Sequence, residues 1–183
     1  MRVIIRSTPE CIEYQAYLSR HIPDAEWIVD TDRRGSMATF LDAMRLAADD
    51  PTLVLEDDIL LTEGFLQKAH DAASWHPTSV IQFFSMRQAD LTEGSRWDRK
   101  FSMNQCTFFP AGYGPEIAAY HDRWPARDVR TGYDTMINDW LASRREPYWL
   151  HVPSLVEHRV CKSRIDPRRS SKRQSKTFAH PMD

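Results

Sequence analysis

The stretch Thr52-Leu-Val-Leu-Glu-Asp-Asp-Ile-Leu60 decides the fold of this chain. Thr52 to Leu55 reads as a short apolar strand that runs straight into three consecutive carboxylates, Glu56, Asp57 and Asp58. A strand that is apolar on both faces belongs in a parallel sheet covered by helices. Acids at its carboxyl end project into the crevice where open α/β sheets bind ligands. Packing gives no reason for the triplet. Adjacent carboxylates repel unless something positive sits among them, and a hard divalent cation carrying a substrate's phosphates is the usual partner. A solvated acidic turn between a strand and a helix is the alternative reading of the same residues.

Upstream, Val3 to Arg6 is a strand candidate, and Thr8-Pro9-Glu10 supplies a cap, a proline and an early acid for a helix running to about His21. Trp27 to Val29 is the second strand. Ser36 can cap a helix whose Met37, Phe40, Leu41, Met44 and Ala47 share one face until Asp50-Pro51 ends it. Strand, helix, strand, helix, strand is the order of a parallel sheet built from right-handed crossovers, with the acids at the end of its third strand. Downstream, Thr62 can cap a helix ending at Trp75-His76-Pro77, and Val80 to Phe84 is a fourth strand. Residues 85–100 are polar and aperiodic and read as a loop. A strand at Cys106–Phe109, a short helix from Pro115 to His121, a helix from Asp134 to about Arg145 and strands at 148–151 and 154–156 complete the chain.

The 183 residues, 42% hydrophobic, suffice for one good core and not for two ordinary domains. The expected fold is a single α/β domain with a mixed, mainly parallel, Rossmann-like sheet flanked by helices. It spans residues 1–165, with 166–183 as a basic, flexible tail. No stretch of 18 apolar residues is present and the first apolar run is too short for a secretory signal, so a soluble, cytoplasmic protein without a membrane span is expected. Cys11, Cys106 and Cys161 are odd in number and widely spaced, which gives neither a disulfide framework nor a zinc knuckle; they read as small buried hydrophobes. The net charge of −2 is unevenly spread: residues 159–176 hold eight Lys or Arg against Asp166 alone, or +7, so the remainder carries −9. Such a tail suits phosphates or nucleic acid, and equally a solvated end.

Two local motifs and the element order resemble the GT-A-fold glycosyltransferases. Leu53-Val-Leu-Glu-Asp-Asp-Ile59 is similar to their metal-binding acidic motif, and Val152-Pro-Ser-Leu-Val-Glu-His158 looks like the strand and histidine that complete the metal site in several of them. The resemblance covers most of residues 1–165. It implies Asp58 as the direct metal ligand, with Glu56 and Asp57 supporting it or meeting the donor ribose, and His158 as a further ligand. Carboxylates and one imidazole suit Mn2+ or Mg2+ better than zinc. The implied donor is a nucleotide-diphosphate sugar, such as a UDP-sugar, whose leaving phosphates a divalent ion stabilises. Donor recognition is implied at Arg6, Ser7 and Thr8 after the first strand and at Asp30, Thr31, Asp32 and Arg33 after the second, with Lys162, Ser163 and Arg164 holding the diphosphate as it leaves. Asp134, at the head of a helix, is the implied base of an inverting reaction; as a helix-start acid it also has a plain capping role. Where the family often has two adjacent acids at this point, this chain has Tyr133-Asp134.

Small transferases of this kind occur in bacteriophages, where some glucosylate hydroxymethylated bases of DNA, and the +7 tail would suit double-stranded DNA as acceptor. The acidic body and the lack of a DNA-reading motif speak for lipopolysaccharide or another glycan instead. Tyr113 is a further acceptor-side candidate. Two readings from other classes share some of these features. A metal-dependent nucleotidyltransferase would use the same sheet and acids but calls for a glycine-rich basic loop where Ser7-Thr8-Pro9-Glu10 stands. A noncatalytic nucleic-acid-binding module would rest on the tail and leave the acids unexplained.

Overall fold

The computed structural model describes residues 1–98, 100–102, 104–128, 132–161 and 173–182. The chain opens with β1 (Arg2–Ser7), a single 3-10 turn (Pro9–Cys11) and α1 (Ile12–His21), followed by β2 (Glu26–Val29), α2 (Ser36–Ala47) and β3 (Thr52–Glu56). Next come β4 (Ile59–Leu61), α3 (Phe65–Trp75), β5 (Val80–Gln82), β6 (Gly94–Arg96) and β7 (Cys106–Phe109). The last elements are α4 (Tyr113–Arg123), α5 (Tyr133–Arg144), β8 (Tyr148–Leu150) and β9 (Val156–His158).

Seven strands form one sheet in the order β2-β1-β3-β7-β5-β8-β6. β1 is parallel to both β2 and β3, and β5 is parallel to β8, while β7 and β6 run against their neighbours. The sheet is therefore mixed, with β2, β1, β3, β5 and β8 sharing one direction, as expected for a Rossmann-like α/β domain. Strand alternation divides the core in two. Ile4 and Val54 face Phe40, Met44, Ile117 and Trp140 of α2, α4 and α5; Ile5, Leu53 and Leu55 face Leu18, Phe65 and Ala69 of α1 and α3. Gly114 lets α4 lie close on α2, because a Cβ there would stand 2.5 Å from the Met44 carbonyl oxygen.

Three features depart from the sequence reading. β6 arises inside the expected loop 85–100, paired antiparallel to β8. The acids lead into β4 and not directly into a helix, and β4 pairs with β9 in a separate two-stranded sheet. The third concerns the tail. Thr62 does not cap α3, whose N-cap is Gly64; its hydroxyl instead donates to the Ala179 carbonyl at 2.9 Å. The Glu63 amide donates to the His180 carbonyl (2.9 Å) and the Met182 amide to that of Leu61 (2.8 Å), and Ser175 and Thr177 bond Glu157 and Ser154. Residues 173–182 of the expected tail are thus hydrogen-bonded to the domain through backbone and hydroxyl groups; residues 166–172 lie outside the described residues.

Candidate functional site: a metal-ligand cluster at the carboxyl edge of the sheet

Register brings the site together. Because β1, β2 and β3 are parallel, Arg6 lies beside Glu56 and Ser7 beside Val29, so the residues that end all three strands share one edge. There they line a cleft of about 850 Å³. Arg6, Ser7, Thr8, Asp30, Glu56, Asp57 and Asp58 all face it, with Tyr14, Cys161 and Arg173.

Each acid of the triplet has a different environment. Glu56 Oε1 accepts from Arg6 (2.9 Å) and from the Tyr133 hydroxyl (2.7 Å), and that hydroxyl accepts from the same Arg6 nitrogen at 2.7 Å. The Arg6 guanidinium also lies 4.4 Å from the centre of the Tyr133 ring. Burial, and then the nearby Asp58 charge, raise the Glu56 pKa above its ordinary value despite Arg6. Burial likewise pushes the Tyr133 hydroxyl well up. Asp57 accepts from the Ser7 hydroxyl at 2.6 Å, and Gln15 donates to Ser7 in turn at 2.9 Å, so Asp57 is tied to the end of β1.

Asp58 differs from both. Ile59 pairs with His158 across β4 and β9, and the Arg159 amide donates to the Asp58 carbonyl at 2.8 Å. This local sheet is the device that joins two residues 100 positions apart. His158 Nε2 stands 3.1 Å from Asp58 Oδ2, with the imidazole fully buried. Nε2 has only this contact with Asp58, and among the described residues neither His158 Nδ1 nor Asp58 Oδ1, both buried, has a hydrogen-bond partner. Burial alone would raise the Asp58 pKa, but His158 and the Arg173 charge outweigh it and hold the carboxyl below its ordinary value. The buried Nδ1 and Oδ1 left without partners are costly as they stand, and Nε2 and Oδ2 at 3.1 Å are close enough to be ligands of one ion. The donor set therefore fits a divalent metal. Cys161 adds a sulfur 3.9 Å from Asp58 Oδ2, and the ligand atoms of Asp58, His158 and Cys161 all lie within 4.8 Å of one another.

At the end of β2, buried Asp30 accepts the Arg34 amide (2.9 Å) and the Gly35 amide (2.7 Å), shaping the turn into α2. Gly35 has φ of +92°, which suits glycine. Asp32 is exposed and is not among the residues lining the cleft. Asp134 is not brought to the cleft either: Tyr133 takes the inward position at the head of α5, and the Asp134 carboxylate accepts the Thr135 amide at 2.8 Å. Tyr113 is engaged by Glu146 (3.0 Å) and stacks edge-on against Trp140. Lys162, Ser163 and Arg164 lie outside the described residues.

Sequence reasoning missed Cys161, Tyr133 and Arg173 as members of the site. Cys161 stands three positions after His158, a spacing compatible with shared coordination. Arg173 carried no local signal, because the docking of 173–182 that brings it to the cleft depends on Thr62 and Glu157, far away in sequence.

No family model matches this chain, and no curated protein matches it. Among solved structures it is similar to A197 from STIV, with a TM-score of 0.52 and 13% identity over 86% of this chain and 84% of that one. It is also similar to the CTP:phosphocholine cytidylyltransferase of Streptococcus pneumoniae, with a TM-score of 0.51 and 12% identity over 86% of this chain and 93% of that one. At such identities the likeness is one of fold, a Rossmann-like α/β domain that a nucleotide-transferring enzyme also uses. No described helix is long and apolar enough to cross a membrane.

Proposed function

We propose that this protein is a metal-dependent glycosyltransferase that takes a sugar from a nucleotide-diphosphate donor of the UDP-sugar kind and passes it to an acceptor hydroxyl. The observation that carries the reading is the pair of Asp58, which lines the cleft, and fully buried His158, 3.1 Å apart. Asp58 and His158 would hold a divalent ion, Mn2+ or Mg2+ by their oxygen and imidazole donors, which would neutralise the charge that grows on the departing diphosphate. Arg173 adds a positive charge beside Asp58. Asp30 shapes the turn against which a base and ribose would rest, and Asp57 is fixed by Ser7 for the same donor. The acceptor's proton is assigned to Asp134, which must turn from the Thr135 amide to take it.

For the acceptor, the +7 of residues 159–176 supports a hydroxymethylated base of phage DNA over a neutral glycan. Transfer of labelled glucose from UDP-glucose to hydroxymethylcytosine DNA, plain DNA and lipopolysaccharide tests the acceptor directly. Label on lipopolysaccharide alone would replace DNA.

The likeness to a cytidylyltransferase favours a second reading, a nucleotidyltransferase working at the same cleft. The leaving group separates the two. A glycosyltransferase releases a nucleoside diphosphate, whereas a nucleotidyltransferase acting on a nucleoside triphosphate releases pyrophosphate. A thermal-shift panel of nucleotide sugars and nucleoside triphosphates with Mn2+ finds the donor first, since a ligand at about 100 times its Kd stabilises by roughly 2.7 kcal/mol. Pyrophosphate as product would overturn the glycosyltransferase.

A further inference from the structure

We infer that Cys161 is a third protein ligand to the ion held by Asp58 and His158, and that its sulfur makes the site prefer thiophilic divalent ions of the zinc and cobalt kind over Mg2+. The inference rests on the ion-binding reading above and adds to it a residue and a metal preference.

Geometry carries it. An ion with bonds of about 2.0 to 2.3 Å to O, N and S separates neighbouring ligand atoms by roughly 3 to 3.8 Å. The Asp58 to His158 edge of 3.1 Å lies in that range and the Cys161 to Asp58 edge of 3.9 Å at its margin, with all three ligand atoms within 4.8 Å of one another. A small inward movement of Cys161 completes the triangle. The backbone is arranged for it: Arg159 is pinned by its amide to the Asp58 carbonyl (2.8 Å) and by its Nε to the Ile59 carbonyl (3.0 Å). The chain leaving β9 is therefore held over β4, and Cys161 comes back above Asp58.

Two further observations point to a ligand at that spot. The His158 ring is fully buried with only the Asp58 contact at Nε2, and among the described residues Nδ1 and the buried Asp58 Oδ1 have no hydrogen-bond partner. Three different donor atoms, one O, one N and one S, then face one point at the edge of the cleft. Oxygen and imidazole alone accept Mn2+ or Mg2+, but a thiolate is a poor ligand for Mg2+ and a good one for zinc and cobalt. Cys161 would bind as thiolate, its proton passing to solvent. With three protein ligands, a tetrahedral ion keeps one position for a substrate oxygen, as catalytic rather than structural zinc sites do.

Titrating the metal-free full-length protein with Co2+ tests this. The expected result is one bound Co2+ with a near-ultraviolet sulfur-to-cobalt charge-transfer band. In Cys161→Ser that band should vanish and Co2+ affinity fall at least roughly tenfold, since even second-shell changes at metal sites cost 10- to 100-fold. Cys106→Ser should leave both unchanged. Cobalt bound without the band, or a band that survives Cys161→Ser, overturns the role of Cys161 and leaves the Asp58 and His158 ion standing. No binding of Co2+, Zn2+ or Mn2+ removes that ion and this inference together. A measurement without any variant guards against misfolding: Zn2+ should shield Cys161 from iodoacetamide, read on its peptide by mass spectrometry, and equal alkylation with and without Zn2+ would overturn the proposal.

Discussion

Tyr133 shows how one hydroxyl settles the chemistry around it. It sits among Arg6, Glu56 and the Asn104 carbonyl and lets a half-buried carboxylate coexist with the rest of the acid triplet. Tyr133→Phe keeps the ring and removes those bonds, so unfolding in urea should show a loss of about 1 to 2 kcal/mol; an unchanged midpoint would mean that Arg6 alone satisfies Glu56. Asp134→Asn tests the base. Positioned proton transfer is worth roughly 10² to 10⁴ in rate, so turnover should fall by at least the lower figure with donor affinity intact, and full activity would move the base elsewhere. At this scale the meeting of Asp58 and His158 was legible because each stands in a recognisable local pattern. Cys161 was not, since a single cysteine is a small hydrophobe until its neighbours are known. Tyr133 read only as the replacement of an acid, because nothing in its surroundings along the chain announces that its hydroxyl will meet Arg6 from β1.

Elements carried the clearest sequence signal where hydrophobic periodicity was strong. β1, β3, α2 and α5 fall within a few residues of their expected bounds because their buried faces are set by the two core layers, and edge strand β2 follows with Trp27 and Ile28 packed against them. β4, β6 and β9 are three residues each, too short for any periodicity to define, and β4 and β9 exist through their mutual pairing. The close approach of α4 to α2 hangs on Gly114. Gly114→Ala drives a methyl into the Met44 carbonyl and should destabilise by about 1 to 3 kcal/mol in a denaturant titration; a neutral result would require the helices to separate without loss. Ahead of β6 and just after it, Arg87 bonds Asp90 (2.6 Å) and Asp98 (2.9 Å) and so ties the loop down. Burial raises the Asp98 pKa, but Arg87 outweighs it and holds the carboxyl below its ordinary value. A depressed carboxylate adds stability above the unfolded value of about 3.9 and loses it as pH falls through the folded one. The stability gap between the wild type and Asp98→Asn should therefore be open at pH 7 and close below about pH 4. A gap independent of pH would mean that the charge on Asp98 contributes nothing.

For the whole molecule, the last turn of the chain changes what the charge asymmetry means. Read as sequence, the basic end is a detachable arm; in the structure residues 173–182 hydrogen-bond to β4, Glu157 and Ser154 and bring Arg173 beside Asp58. Removing residues 173–183 should accordingly lower the melting temperature and weaken nucleotide-diphosphate binding together. Unchanged stability would return the segment to the role of an arm. The α/β class was legible because strand and helix alternate early in the chain, whereas the docking of a polar end through hydroxyls and backbone leaves no hydrophobic pattern to read. The most direct measurement is calorimetric titration of the best donor from the nucleotide-sugar panel, with and without Mn2+, into the wild type and Asp58→Asn. An ion gripped by Asp58 and His158 should strengthen wild-type binding at least roughly tenfold, about 1.4 kcal/mol, and leave Asp58→Asn without that gain; equal affinity with and without Mn2+ in the wild type, or the same gain in Asp58→Asn, would contradict it.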